Sequence, residues 1–197
     1  MKNLSTLADK IFDNATTFTI EKQDQWDNKI LMKSWFESNK GLRNKYTTQA
    51  PGWYWIGANI TFKELMTLTA YDDYHKKSGC VIEEVATNNL KIFDKQFICK
   101  EKENGFRILY NGHQGKVLQR LRQHFYLQNE NTGALGLNAY PLHSYTWQVW
   151  YFSAKHLNRL PSEIQNTVSH LIKNSIGRVA IETAWRAKHG WPTLCKA

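Results

Sequence analysis

Residues 107–125 read Arg-Ile-Leu-Tyr-Asn-Gly-His-Gln-Gly-Lys-Val-Leu-Gln-Arg-Leu-Arg-Gln-His-Phe, and this stretch decides the fold. A short apolar strand, Phe106–Tyr110, is expected to end at Tyr110, turn at Gly112 and feed a helix over residues 116–128. Arg120 and His124 stand four residues apart on that helix, so a permanent cation and a titratable imidazole share one face. The strand brings a phenol to the same end. Such a trio suits chemistry on a phosphodiester: arginine neutralises charge on the phosphate, and a phenol or imidazole moves protons. The same residues also fit a solvated basic helix whose histidine and tyrosine pack or cap.

Working outward, the next strong signals are aromatic. Pro51-Gly52 punctuates the chain, and Trp53-Tyr54-Trp55-Ile56 reads as a buried strand. Tyr145–Phe152 alternates and is aromatic-rich, a further strand. Pro161-Ser162-Glu163 opens a helix, Ile176-Gly177 breaks it from a last helix over residues 177–189, and Gly190-Trp191-Pro192 stops that one. Residues 129–140 form a Gly- and Asn-rich loop. Residues 1–45 read as helical, with Leu4, Leu7, Ile11 and Phe12 at helical spacing. A second helix there carries Trp26, Ile30, Lys33 and Phe36 and stops at Asn39-Lys40-Gly41. Residues 61–78 look like a helix, Cys80–Ala86 and Leu90–Cys99 like strands turning at Asn88-Asn89, and Lys100–Gly105 like a charged loop.

Charge is unevenly spread. The chain of 197 residues carries a net +9, yet residues 105–197 hold 11 Lys/Arg against 3 Asp/Glu, so nearly all the excess lies there. A half with so few carboxylates points to a polyanion such as nucleic acid. No apolar run nears the roughly 20 residues that span a bilayer, and the N-terminus has no apolar signal core, so no membrane partner is expected. Cys80, Cys99 and Cys195 are odd in number and widely spaced, which suggests reduced thiols in a cytoplasmic protein, not a disulfide frame or zinc site.

Glu182 is the only carboxylate between Glu163 and the C-terminus, set among basic and apolar residues of the last helix. A lone acid in a basic region can hold a hard cation such as Mg²⁺. It equally fits a helix-surface ion pair with Arg178 or Arg186.

Together these residues resemble the GIY-YIG nuclease superfamily. Gly52-Trp53-Tyr54 stands for the first motif and Tyr110-Asn111-Gly112 for the second, with Asn111 in place of the usual apolar middle residue. Arg120 and His124 match the family's arginine and histidine in offset, and Glu182 with Trp191-Pro192 matches its metal-binding glutamate and following proline. The resemblance covers about residues 52–57 and 106–197. It implies an α+β fold: a small antiparallel or mixed sheet flanked by helices. Residues 1–50 would form an N-terminal helical extension and 51–197 the catalytic domain, with 58–104 an insertion between the first two core strands. Three features depart from the pattern: the length of that insertion, His113 directly after the second motif, and no Asn after the glutamate helix, where Thr193 stands nearest.

The implied chemistry is single-metal phosphodiester hydrolysis. Glu182 would hold one Mg²⁺ or Mn²⁺ and Tyr110 would act as general base, helped by Arg120 and His113. Arg120 would stabilise the phosphorane charge, and His124 and Tyr54 would orient Tyr110 or the phosphate. Among members of the superfamily, a compact core with grafted additions is most similar to stand-alone type II restriction endonucleases, with homing and repair nucleases as alternatives. Double-stranded DNA is then the partner, and cutting both strands implies a homodimer or transient pairing of protomers. A rival from another class is a non-catalytic nucleic-acid-binding module, in which Glu182 is structural and tryptophans pack or stack.

Overall fold

The computed structural model describes residues 3–21, 38, 50–71, 80–101, 105–126 and 133–196. The expected helix of residues 26–39 lies outside them except for Ser38. The fold is α+β. Its four-stranded sheet comprises β1 (Thr16–Ile20), β2 (Gly52–Ala58), β3 (Arg107–Gln114) and β4 (Trp147–Ser153) in the order β1-β4-β2-β3, antiparallel throughout. Among the described residues six α-helices accompany it: α1 (Leu4–Asp13), α2 (Phe62–Thr67), α3 (Ile82–Ile92), α4 (Val117–Phe125), α5 (Ser162–Lys173) and α6 (Ser175–His189).

Every residue of β2 is buried, because helices cover both faces of this central strand. Alternation sorts its side chains between two cores. Trp53 and Trp55 join Leu7, Ile11, Val168, Ile181 and Trp185 of α1, α5 and α6. Tyr54, Ile56 and Ala58 join Leu118, Leu121 and Phe125 of α4, and Leu65, Ile82 and Ala86 of the segment between β2 and β3. The described part of that segment carries α2 and α3, which pack into this core. No helix among the described residues is long and apolar enough to cross a membrane.

The structure corrects several local expectations. Thr16–Ile20 is a strand on β4, not helix: its β-branched and aromatic residues favour the pleated surface, and Ile20 is buried. Helix α2 stops at Thr67, with Leu68 extended, instead of running to residue 78. The two strands expected over residues 80–99 are replaced by α3 and a 3-10 turn at Lys95–Phe97. Glu83 and Glu84 sit in the first turn of α3, where the helix dipole favours them, and Ile82, Ala86 and Asn89 are buried at helical spacing. Asn89 is therefore no turn residue. Its amide donates to the carbonyls of Thr193 (2.8 Å) and Cys195 (2.6 Å) and ties down the C-terminal segment.

The break between α5 and α6 falls at Asn174, which ends one helix and caps the next by accepting from Gly177 N at 2.6 Å. Gly177 serves close packing instead: a Cβ there would lie 2.4 Å from the Leu171 carbonyl oxygen.

Candidate active site

The site grows from the pairing of β2 with β3. Tyr54 lies opposite Gly112 and Ile56 opposite Tyr110, and β3 runs on through His113 to Gln114. The turn expected at Gly112 is thus absent. Glycine is required there for room: a Cβ would stand 2.6 Å from the Tyr54 hydroxyl and 2.8 Å from its Cζ. The register shifts between Ile56 and Gly57, leaving Leu109 without a partner on β2. This bulge puts Leu109 and Tyr110, neighbours in sequence, against the same core as Tyr54. The Leu109 carbonyl accepts from Leu194 N at 2.7 Å instead.

Helix α4 follows at once, its Val117 amide bonded to the Ala50 carbonyl at 3.0 Å. Leu118, Leu121 and Phe125 bury one side, which brings Arg120 and His124 to the tyrosines. Tyr54 and His124 are buried, whereas Tyr110, Arg120, His113 and Glu182 are partly exposed. Supporting groups lie inside and groups able to meet a ligand lie outside.

Hydrogen bonds fix the order from Leu135 through His124 to Tyr54. Leu135 N, which can only donate, meets His124 Nδ1 at 3.1 Å. Nδ1 is therefore the acceptor, and the ring proton sits on Nε2, 2.8 Å from the Tyr54 oxygen. That oxygen accepts from His124, and the Arg120 guanidinium and the Tyr110 phenol lie within electrostatic and hydrogen-bonding reach of Tyr54. The Tyr110 and His124 rings lie 4.6 Å apart between centroids, and Tyr54 stacks on Tyr110 at 6.0 Å. Arg120 also reaches Gln123 and the Gly133 carbonyl, each at 3.1 Å. Residues 133–135 of the long loop thus hold both Arg120 and His124.

Burial dominates the ionisation of this group. It lowers the His124 pKa well below the usual imidazole value, and the Arg120 charge lowers it further. It raises Tyr54 well above the usual phenol range, and pushes Tyr110 up to about 12, with Arg120 and the bond from Tyr54 opposing. His124 cannot take a second proton without breaking its bond to Leu135. It is a fixed donor that aims Tyr54, not a base.

Asn111 and His113 pair with Trp55 and Trp53, so they point to the α6 side of the sheet. There His113 Nδ1 lies 2.6 Å from Glu182 Oε2, while Arg186 holds Oε1. Of the two arginines within a turn of Glu182, Arg186 is the partner. Arg178 turns inward and donates to the Ile172 carbonyl at 2.7 Å. Glu182 is close enough to raise both tyrosines through its charge, so the two groups are coupled around β3, which lies at one edge of the sheet. The resemblance drawn from the sequence points to the six residues Tyr54, Tyr110, His113, Arg120, His124 and Glu182. It carried no sign of the Leu135 amide, and Cys195, read only as a thiol, lies against Asn111 and Arg186.

The donor set open to a metal is one carboxylate. No cluster of three or more His, Cys, Asp or Glu side chains stands together among the described residues. One carboxylate fits a hydrated Mg²⁺ or Mn²⁺ whose other positions are water and phosphate oxygens, and excludes a closed protein cage. Thr193 adds nothing to it, its hydroxyl being fully buried. A cavity of about 1090 Å³ lies behind α6, with Arg186 and Trp191 in its wall but neither tyrosine nor Glu182. No family model, curated protein or solved structure matches the chain.

Proposed function

We propose that this protein is a metal-dependent DNA endonuclease of the GIY-YIG type, acting as a site-specific type II restriction enzyme. The observation that carries the reading is the bonded chain from Leu135 through His124 to Tyr54, with Tyr110 stacked on Tyr54 beside it, close to Arg120 and within electrostatic reach of Glu182. A purely structural cluster has no need to fix a buried imidazole and a buried phenol beside a half-buried one.

In this mechanism Tyr110, as phenolate, accepts a proton from the water that attacks phosphorus. The bond to the 3′ oxygen breaks, and that oxygen takes a proton from solvent. Tyr54 stabilises the phenolate by donating to it, and His124 holds Tyr54 in that role. Arg120 offsets the charge that builds on the phosphate. Bound at Glu182, Mg²⁺ or Mn²⁺ would supply Lewis-acid stabilisation of the phosphate and the leaving oxygen. Further positive charge matters here because Tyr110, pushed up to about 12 chiefly by burial even with Arg120 opposing, is protonated at neutral pH.

The basic half of the chain favours a DNA backbone as substrate, and one site per chain favours paired protomers on a duplex. Reduced, buried cysteines suit the cytoplasm, where such an enzyme meets its DNA. One observation favours the non-catalytic reading: both Glu182 oxygens already have protein partners. The test is cleavage of plasmid and phage DNA with Mg²⁺, Mn²⁺ or EDTA beside a Glu182→Ala control. Discrete metal-dependent bands that vanish in the variant support the nuclease. Equal, salt-sensitive binding without cleavage in both proteins favours the binding module.

A further inference from the structure

Arg186 has no part in the chemistry described so far, yet its side chain is held from several directions. Its Nε donates to Asn111 Oδ1 at 2.8 Å, and one terminal nitrogen reaches the Asn111 carbonyl at 3.2 Å, Cys195 Sγ at 3.3 Å and Glu182 Oε1. Its guanidinium lies over the Trp191 ring, 4.6 Å from the centroid. The walls of this socket are themselves fixed. Cys195 is buried, with its thiol pushed up to about 12, so it stays neutral and donates to the Asn111 carbonyl at 3.3 Å. The Cys195 carbonyl accepts from Asn89 at 2.6 Å and from the Trp191 indole at 2.9 Å.

A surface ion pair needs none of this. Asn111 is also the residue that departs from the apolar middle position of the second motif, and an apolar side chain there would leave the Arg186 Nε–H unpaired.

We propose that Arg186 is the positioning residue of Glu182, and that Asn111 and Cys195 form the seat that makes it rigid. The guanidinium commits Oε1, so that Oε2, which His113 Nδ1 meets at 2.6 Å, is the oxygen whose remaining lone pair would face a divalent cation. The inference rests on the nuclease reading and adds to it a rigid, one-oxygen presentation of the carboxylate. Lysine cannot replace arginine here, because an ammonium lacks the planar fork that spans Asn111 and Glu182 together.

The experiment compares wild type, Arg186→Lys, Arg186→Met, Asn111→Val and Glu182→Gln. Folding is checked by thermal melting, Mn²⁺ binding to the protein alone by electron spin resonance, and single-turnover DNA cleavage at saturating Mn²⁺. Arg186→Lys, the mildest change, should bind Mn²⁺ within about threefold of wild type yet cut at least about tenfold more slowly. Arg186→Met removes a cation beside the carboxylate, so it should bind Mn²⁺ more tightly and still cut more slowly. Asn111→Val should follow Arg186→Lys in direction. Full activity in Arg186→Lys would show that charge alone suffices and overturn the seat. Faster cleavage with tighter Mn²⁺ binding in Arg186→Met would make Arg186 a competitor of the metal, which also overturns it. If Glu182→Gln binds Mn²⁺ and cuts like wild type, or wild type cuts nothing, the nuclease reading itself falls and the inference with it.

Discussion

Replacing Gly112 with alanine is the sharpest test of the tyrosine relay, because one methyl group acts on a residue 58 positions away. The added Cβ would lie 2.6 Å from the Tyr54 oxygen, 2.8 Å from Cζ and 3.2 Å from Cε1. Ordinary contact begins near 3.4 Å, so the ring must retreat by roughly 0.8 Å or the strands must part. Neither is easy, since Tyr54 is buried in a central strand paired on both sides. Overpacking of this kind costs about 1–3 kcal/mol, which for a chain of this size lowers Tm by roughly 2–10 °C. The shift also pulls the hydroxyl from His124, now 2.8 Å away, and from Tyr110. A hydrogen bond to a charged group is worth about 1.5–3 kcal/mol, so losing the one to the Tyr110 phenolate should slow cleavage roughly ten- to hundredfold. Single-turnover cleavage well below the variant's Tm separates this from unfolding. Tyr54→Phe should lose a similar factor, and the double variant should be little worse than either, because both remove the same bond. A folded Gly112→Ala protein that cuts at the wild-type rate would refute the relay.

The pH dependence of kcat/KM reports Tyr110: with its pKa near 12 in the ligand-free protein, a general base gains about tenfold in rate per pH unit up to the alkaline limit of folding, and a flat or falling profile between about pH 6 and 9 would exclude that role. Acid should destabilise the fold through His124 and His156, whose pKa values burial depresses, the latter to about 4. The unfolded chain protonates these rings first, so their stability contribution is complete above about 6.5 and declines toward pH 4. The slope is at most about 1.4 kcal/mol per pH unit for each, and an unchanged urea midpoint across that window would contradict it. Arg120→Ala should lower the cleavage rate by about a hundredfold while Mn²⁺ binding to the protein alone stays as in wild type; loss of both together would mean that Arg120 supports the fold around Glu182.

Local signals were legible in the sequence and long-range ones were not. The aromatic run at Trp53–Ile56 can hardly be anything but a buried strand, and Arg120 and His124 share a face because they lie on one helix. Residues 80–99 misled because Cys80–Ala86 and Leu90–Cys99 hold enough apolar residues to look like strands. Burial of Ile82, Ala86 and Asn89 at helical spacing decides otherwise. The N-terminal helical pattern similarly hid the strand Thr16–Ile20, whose pairing partner lies more than 120 residues away. Gly112 looked like a turn because glycine usually marks one, whereas its true cause is the Tyr54 ring across the ladder. In the site, Glu182 with Arg186 follows from helical spacing. The seat of Arg186 on Asn111 and Cys195, and the Leu135 amide behind His124, exist only once strands, loop and C-terminal segment have met.

The edge position of β3 explains why one strand can serve both halves of the site. A central strand carries side chains to two faces that its neighbours keep apart. On an edge strand the two faces meet around the outer side, and among the described strands β3 pairs with β2 alone, its outer side meeting a bridge from Glu101 to Arg107 and the Leu194 amide at Leu109. The bulge at Leu109 then sets which residue goes where: Tyr110 toward Tyr54 and His124, Asn111 and His113 toward Arg186 and Glu182. Were Leu109 paired regularly opposite Ile56, the alternation beyond it would be reversed, and Tyr110 would face α6 while Asn111 faced α4. A phenol would then sit beside the carboxylate with no donor behind it, and the buried imidazole would face an amide. The bulge is therefore as necessary to the proposed chemistry as any side chain in it, although it is a property of backbone register and of no single residue.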